Sequence, residues 1–176
     1  DSCKMKALKL IAVSFVGMAS ATAEPLELQK GDVVAFVGGA DLVRIQEDGR
    51  LEAALTLRFP EATPQFRDLA WEGDTVYFQN AVRERWRTEA FGGWPEQLRR
   101  IRATVVIFQF GKMESFDGIG KIAQFTEAYG KLIDELTGEG RRAILLAPSP
   151  FEWPAARERA ALASYTEAVA TLAKNR

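Results

Sequence analysis

The sequence predicts a single doubly wound α/β domain, in which helices cover both faces of a parallel sheet. Short apolar or β-branched segments alternate with longer segments of helical periodicity from about residue 30 onward, which is the order that builds parallel sheets. The length of 176 residues fits one domain. No internal repeat, linker or low-complexity stretch divides the chain.

Four segments have the character of short strands that end at a turn. The strongest is the run TVVIFQF, which is almost entirely apolar and ends at Gly111. The predicted strands cover residues 32–37, 65–70, 104–110 and 143–147.

Four longer segments are predicted to be helices. The clearest is residues 119–136, where Ile119, Phe125 and Leu132 belong to one apolar stripe and Gly138 follows the last turn. The other predicted helices cover residues 50–59, 95–102 and 154–173.

Four loops are expected to meet at one rim, because ligands bind outside the carboxyl ends of the strands in such sheets. These loops cover residues 38–41, 71–75, 111–115 and 148–152. The candidate residues on or near the rim are Asp41, Trp71, Asp74, Ser115 and Trp153.

Charge and composition exclude several classes of protein. The chain has 23 Lys and Arg, 24 Asp and Glu and no His, for a formal net charge of −1. This balance offers no basic field for nucleic acid, and a His-dependent triad or zinc site cannot be completed by this sequence. The Gly38-Gly39 turn lacks the remaining glycines of a dinucleotide-binding motif. We therefore expect no nucleic-acid partner and no cofactor.

The first 23 residues have the layout of a secretory signal peptide, with residues 1–4 as an upstream remnant. Three Lys precede a short apolar run at residues 10–18 and an A-x-A cleavage site at residues 21–23. The run is well short of the ~20 residues that span a bilayer; the alternative is a buried N-terminal helix. We expect an exported protein, periplasmic or extracellular, with its domain at residues 24–176 and no membrane contact after cleavage.

Three rim loops, in this order, resemble the conserved blocks of the SGNH (GDSL) esterase family. Residues 33–41 (VVAFVGGAD) match the first block, with Gly38 at the family's Gly. Residues 68–75 (DLAWEGDT) match the second block and supply Gly73 at the position of an oxyanion donor. Residues 110–116 (FGKMESF) match the third block.

Together with residues 46–60, these blocks are similar to a divergent exported group from planctomycete and verrucomicrobial bacteria. The resemblance covers roughly residues 31–152 and implies an SGNH-type, flavodoxin-like sheet that acts on carbohydrate or other small acyl esters. The family's last block, D-x-x-H, follows a fifth strand. Neither is found here, so the resemblance implies a domain without its last strand and a longer chain with further domains.

The departures from the family bear directly on catalysis. Gly39 stands where the family has Asp, Ala40 where it has the nucleophilic Ser, and Met113 where it has the oxyanion Asn. A methyl group cannot attack an acyl carbon, and the loss of one oxyanion donor typically lowers turnover by about 10²–10³. Without a base, no group takes the Ser proton.

The rim carboxylates could support other chemistry. Glu114 is the candidate functional residue, because it follows Met113 and is expected to face the pocket; the alternative is a surface carboxylate paired with Lys112. Asp41 and Asp74 could form part of an acid/base pair if the carboxyl groups lie about 5–9 Å apart; the alternative is that they cap helices. No Asp-rich metal-ligand spacing is present, so we expect no metal.

The remaining rim candidates also have two interpretations. The Ser115 hydroxyl lacks a nucleophile-elbow context and is expected to bond backbone. Trp71 and Trp153 could stack on a sugar ring, or they could pack in the core.

Two functions remain open at this point. The first is a divergent ester hydrolase of SGNH descent with a replacement nucleophile. The second is an exported, non-catalytic domain that keeps the crevice to bind a small molecule or carbohydrate.

Overall fold

The computed structural model describes residues 26–78 and 89–175, so the predicted leader lies outside the described residues. The helices and strands alternate along the sequence. In chain order they are β1 (Val33–Gly38), α1 (Ala40–Glu47), α2 (Arg50–Arg58), β2 (Gln65–Asp68), α3 (Trp94–Arg100), β3 (Val105–Gln109), α4 (Ile122–Thr137), β4 (Arg142–Leu145) and α5 (Ala156–Lys174). In these ranges no helix combines the length and apolar character needed to cross a membrane.

The four strands form one parallel sheet in the order β2-β1-β3-β4. Val34 lies opposite Val105 between β1 and β3, and Ile107 lies opposite Ile144 between β3 and β4. Every residue of β3 is buried, as expected for a strand covered on both faces. The prediction of a parallel α/β sheet is confirmed. The second strand is added on one side of β1 and the third on the other. Folds of this class place a ligand crevice where the strand order reverses in this way, here between β1 and β3.

Helices cover both faces of the sheet. Successive strand residues point to opposite sides, so the apolar strands β1 and β3 offer buried side chains to both faces. On one face, Phe36 packs in a cluster with Leu42 of α1 and Leu55 of α2. On the other face, Phe108 belongs to a cluster built with α3, α4 and α5, and its ring meets the ring of Tyr129 edge-on at 6.3 Å. Truncating a ring so fully enclosed typically removes about 3–5 kcal/mol of stability.

Two features differ from the predictions. The sequence analysis predicted a loop at residues 38–41 and no helix before residue 50, whereas the eight-residue helix α1 begins at Ala40 and buries only Leu42. Helix α4 begins at Ile122 rather than at residue 119. Gly118, with φ +83, separates two 3₁₀ turns before α4, so Ile119 is exposed and does not extend the buried stripe.

Candidate functional site

A pocket opens above the carboxyl ends of β1 and β3. Gly38 and Gln109 are paired there, and a Cβ on Gly38 would lie 2.7 Å from the Gln109 carbonyl oxygen. Only a glycine therefore lets the two strand ends approach this closely. The pocket has a volume of about 140 Å³. It is lined by Gly39, Ala40, Asp41, Arg44, Asp74, Gln109, Phe110, Gly111, Lys112, Met113 and Glu114.

The start of α1 forms one side of this pocket. Ala40 is the first residue of the helix, and Gly39 is its N-cap. A Cβ on Gly39 would lie 2.7 Å from the carbonyl oxygen of Asp74, so the loop after β2 closes directly over the beginning of α1. At Ala40 the pocket presents a methyl group, which has no lone pair to react.

Asp41 joins α1 to two of the other rim loops. Its Oδ1 accepts a hydrogen bond from Lys112 Nζ at 2.7 Å, and its Oδ2 accepts one from the Ser149 N–H at 2.9 Å. Lys112 Nζ also lies 5.3 Å from the centre of the Phe151 ring. The interpretation of Asp41 as a helix cap is wrong, because it lies inside the first turn of α1 and the helix has no side-chain cap.

Glu114 joins the loop after β3 to the loop after β2. Its Oε1 accepts a hydrogen bond from the Val76 N–H at 2.9 Å, and its Oε2 accepts one from the Gly111 N–H at 2.8 Å. The residue is 3% exposed. Burial raises the pKa of the Glu114 carboxyl, and the backbone N–H donors only partly offset this. Glu114 lines the pocket, as the sequence analysis expected. The alternative of a surface carboxylate paired with Lys112 is wrong, because Glu114 is buried and Lys112 pairs with Asp41.

Neither Asp41 nor Glu114 presents an unengaged carboxylate group for acid/base chemistry. Each has both oxygens bonded to protein donors. In the described ranges, no three His, Cys, Asp or Glu side chains come together as metal ligands.

The structure brings some of the other predicted residues to the pocket and leaves others on its rim. Asp74 is buried and Met113 is 48% exposed, and both line the pocket. The Ser115 hydroxyl donates to the Lys112 carbonyl oxygen at 2.7 Å, which matches the expected backbone bond. Trp153 is 94% exposed.

The second loop contributes to the rim through its backbone. The Trp71 N–H donates to the Gly38 carbonyl oxygen at 3.1 Å, which fastens this loop to the end of β1. Gly73 has φ +85, a conformation that glycine adopts most readily. Neither Trp71 nor Gly73 is among the residues that line the pocket.

Gln109 is a site residue that the sequence analysis missed. It ends β3, is 4% exposed, and lines the pocket. Its Nε2 donates to the Ala147 carbonyl oxygen at 2.9 Å, whereas its Oε1 has no hydrogen-bond partner in the described part of the chain. The available signal was its place as the only polar residue in the segment VVIFQF, residues 105–110, before Gly111.

Three solved structures that share this fold are described as enzymes. A structure described as an α/β hydrolase enzyme from the metagenome of Lake Arreo, Spain, matches with a TM-score of 0.53 and 19% identity, covering 84% of this chain and 75% of that chain. An acetyl xylan esterase matches with a TM-score of 0.52 and 14% identity, covering 81% and 73% respectively. A gut microbial diltiazem-metabolizing enzyme matches at 0.51 and 17%, covering 86% of this chain but 37% of that chain.

At these identities the likeness establishes the fold alone. The chain shares with these structures an α/β fold with a parallel sheet and flanking helices. No protein-family profile matches the sequence, and no curated protein matches it.

Proposed function

We propose that this chain is an SGNH-hydrolase-type domain that binds a small ligand in the pocket at the start of α1 and does not form an acyl-enzyme. The observation that carries the proposal is Ala40. It lies at the first turn of α1 and lines the pocket, at the position where the resembling family has its nucleophile.

The surroundings of Ala40 support the same conclusion. In this family a general base must take the nucleophile's proton, and the sequence contains no His. The half-buried carboxylate of Asp41 and the buried carboxylate of Glu114 are engaged as links between loops. Gly39 replaces the family's Asp, and the close approach of the Asp74 carbonyl oxygen leaves no room for a side chain there. The pocket is thus retained as a shaped cavity while the reactive groups are missing.

The ligand and the location form part of the proposal. The rim and the similarity to an acetyl xylan esterase favour a carbohydrate or its acyl derivative over nucleic acid. The signal-peptide layout of residues 1–23 favours export. The test is the mass of the mature protein recovered outside the cytoplasm after expression in a bacterium. A protein that keeps residues 1–23 and stays in the cytoplasm would contradict export.

The binding proposal is tested by comparing turnover with binding in one preparation. We expect no hydrolysis of p-nitrophenyl acetate or acetylated xylo-oligosaccharides above the buffer rate, and we expect acetylated sugars to perturb the NMR signals of Ala40 and Gly111. The matched variant Ala40→Val, which adds bulk at an exposed position in the pocket, should abolish the perturbation. Hydrolysis that is present in the natural chain and abolished by Ala40→Val would show an enzyme instead.

A further inference from the structure

We infer that the edge of β4 pairs with the same edge of a second copy of this chain, so that two copies form a symmetric dimer with one continuous sheet. The strand order β2-β1-β3-β4 puts β4 at an edge of the sheet. No residue of β4 lines the pocket, so the inference does not depend on the proposed ligand-binding role.

The backbone of β4 presents a row of hydrogen-bonding groups on the side away from β3. The N–H groups of Arg142 and Leu146 donate to carbonyl oxygens of the neighbouring β3 segment, and successive residues of a strand turn their peptide groups to alternate sides. The N–H and C=O groups of Ala143 and Leu145 therefore point outward. In the part of the chain that the structure describes, they have no hydrogen-bond partner. Such a row is a template for another strand.

The side chains of β4 favour this edge over the opposite one. All of β3 is buried, whereas in β4 Ala143 is exposed and Ile144 and Leu145 are half-buried. Charged residues commonly protect exposed edges from pairing, and none interrupts these three positions. The other edge strand, β2, carries exposed Arg67 and Asp68. The edge of β4 is therefore the one suited to pairing.

An antiparallel pair of β4 strands centred on Ile144 uses the whole row. In this register Ala143 faces Leu145 of the second copy, and two residues paired in this way exchange both of their backbone hydrogen bonds. The two-fold axis repeats this pair, with Ile144 opposite its own copy in between. Arg142 faces Leu146 of the second copy, so no like charges oppose each other. A two-fold axis also closes the assembly at two copies.

Charges near the strand ends favour a second copy of this chain as the partner. Arg159 lines an open groove at the carboxyl end of β4 together with Pro148 and Pro150, and it makes no ion pair with any described residue. Antiparallel pairing brings to this end the turn that precedes β4 in the second copy. That turn carries Glu139, which pairs with Arg141 and remains 55% exposed. The second copy thus supplies a carboxylate near each Arg159.

The oligomeric state and the exchange of the edge amides test the inference together. Sedimentation velocity of the full chain should show a dimer whose fraction rises with concentration. Hydrogen exchange at the Ala143 and Leu145 amides should slow over the same concentrations, while exchange at the core residue Leu132 should not change. A monomer at every concentration would overturn the inference. Edge amides that are protected independently of concentration would also overturn it, because another part of the same chain would then cover the edge.

Two substitutions at Ala143 test the backbone pairing. Ala143→Pro removes an outward N–H from each copy, which an edge strand tolerates, and it should raise the dimer dissociation constant at least about tenfold. Ala143→Val keeps this N–H and should leave the dissociation constant nearly unchanged. If Ala143→Pro does not fold, Ala143→Lys places a charge on the edge instead and should also weaken the dimer. A dimer that Ala143→Pro or the folded Ala143→Lys leaves intact would overturn the inference.

A cysteine cross-link tests the register. Opposed residues in the position of Ile144 have their Cα atoms about 4.5 Å apart, within the range that a disulfide spans. In a Cys3→Ser background, Ile144→Cys should therefore form a covalent dimer with oxidised glutathione. Ala143→Cys is the matched control, since this position is more exposed but faces Leu145 of the second copy. Cross-linking through Ala143→Cys that equals or exceeds that through Ile144→Cys would show a different contact and overturn the proposed pairing.

Discussion

Asp41 and Lys112 form an ion pair 2.7 Å long between α1 and the loop after β3, and the two side chains are 12% and 22% exposed. The second carboxylate oxygen of Asp41 binds the Ser149 N–H from the loop after β4. A single carboxylate therefore holds three segments of the rim in place. The pocket depends on this arrangement because Asp41 joins the start of α1 to the loops after β3 and β4.

Lys112→Met should destabilise the fold, because it leaves the negative charge of the half-buried Asp41 carboxylate without its positive partner. We expect the free energy of unfolding to fall by about 1–3 kcal/mol, less than the 3–5 kcal/mol typical of a fully buried pair, as measured by urea denaturation. Lys131→Met is the matched control, since Lys131 pairs with Glu127 at 2.6 Å on the exposed surface of α4 and exposed pairs contribute little. Equal effects of the two substitutions would contradict the role assigned to the Asp41–Lys112 pair.

Gly39→Ala should destabilise the fold because the added Cβ would lie 2.7 Å from the Asp74 carbonyl oxygen. Either α1 or the loop after β2 would have to shift, which typically reduces stability by about 1–3 kcal/mol. Gly120→Ala is the control, since a Cβ on Gly120 meets nothing within 4 Å. Thermal unfolding of the two variants side by side is the measurement. A Gly39→Ala protein as stable as Gly120→Ala would show that the contact is not tight in solution.

The sequence predicted much of this fold because its main signals are local. Runs of buried apolar residues identify β1 and β3, and the stripe through Phe125 and Leu132 identifies α4. Helix α1 could not be recognised in this way, because eight residues with one buried side chain show no clear periodicity. The Gly38-Gly39 pair after β1 instead indicated a turn.

The candidate site was predictable in its place but not in its contacts. The carboxyl ends of the strands indicated the rim, and the resemblance indicated Ala40. The partners of Asp41 lie 71 and 108 residues away in the sequence, and Glu114 reaches 38 residues back to Val76. No local pattern encodes such pairings. The isolated Oε1 of Gln109 depends on the packing of neighbouring segments, so it too was visible only in three dimensions.

Asp32→Asn should reduce stability more at neutral pH than in acid. Asp32 accepts hydrogen bonds from the Gln29 N–H, the Thr104 hydroxyl and the Arg142 guanidinium. Burial by itself would raise the pKa of this carboxyl, but these donors outweigh burial and hold its pKa below the usual value. A depressed pKa in the folded state contributes stability that is present above the unfolded-state pKa and is lost as the pH falls through the folded-state pKa.

We therefore expect the Asp32→Asn protein to be less stable than the natural chain by about 1–3 kcal/mol at neutral pH. The difference should shrink as the pH falls below about 4. Urea denaturation across this range measures it, and Asp48→Asn, at an exposed position on the surface, is the control with little expected change. A difference that stays constant with pH would contradict the assignment of the lowered pKa to Asp32.

Glu114→Gln should show the opposite pH dependence. Burial raises the pKa of Glu114 in the folded state, so the folded chain holds this proton more strongly than the unfolded chain does. Stability from this group is fully present below the unfolded-state pKa of about 4.3 and is lost as the pH rises through the folded-state pKa. A glutamine does not ionise, so the stability of the natural chain relative to Glu114→Gln should decrease as the pH rises. A relative stability that increases with pH would contradict the raised pKa.

Ala40→Ser should install a hydroxyl in the pocket without creating an esterase. A serine hydroxyl is a weak nucleophile until a base removes its proton, and the sequence has no His to act as that base. The nearby carboxylates of Asp41 and Glu114 already bind protein donors through both oxygens. We expect the rate of p-nitrophenyl acetate hydrolysis to equal that of the natural chain and of Ala170→Ser, which places the same hydroxyl at an exposed position on α5. Burst-phase release of p-nitrophenol by Ala40→Ser alone would contradict this expectation, because it would show that the pocket holds a group that takes the proton of the new hydroxyl.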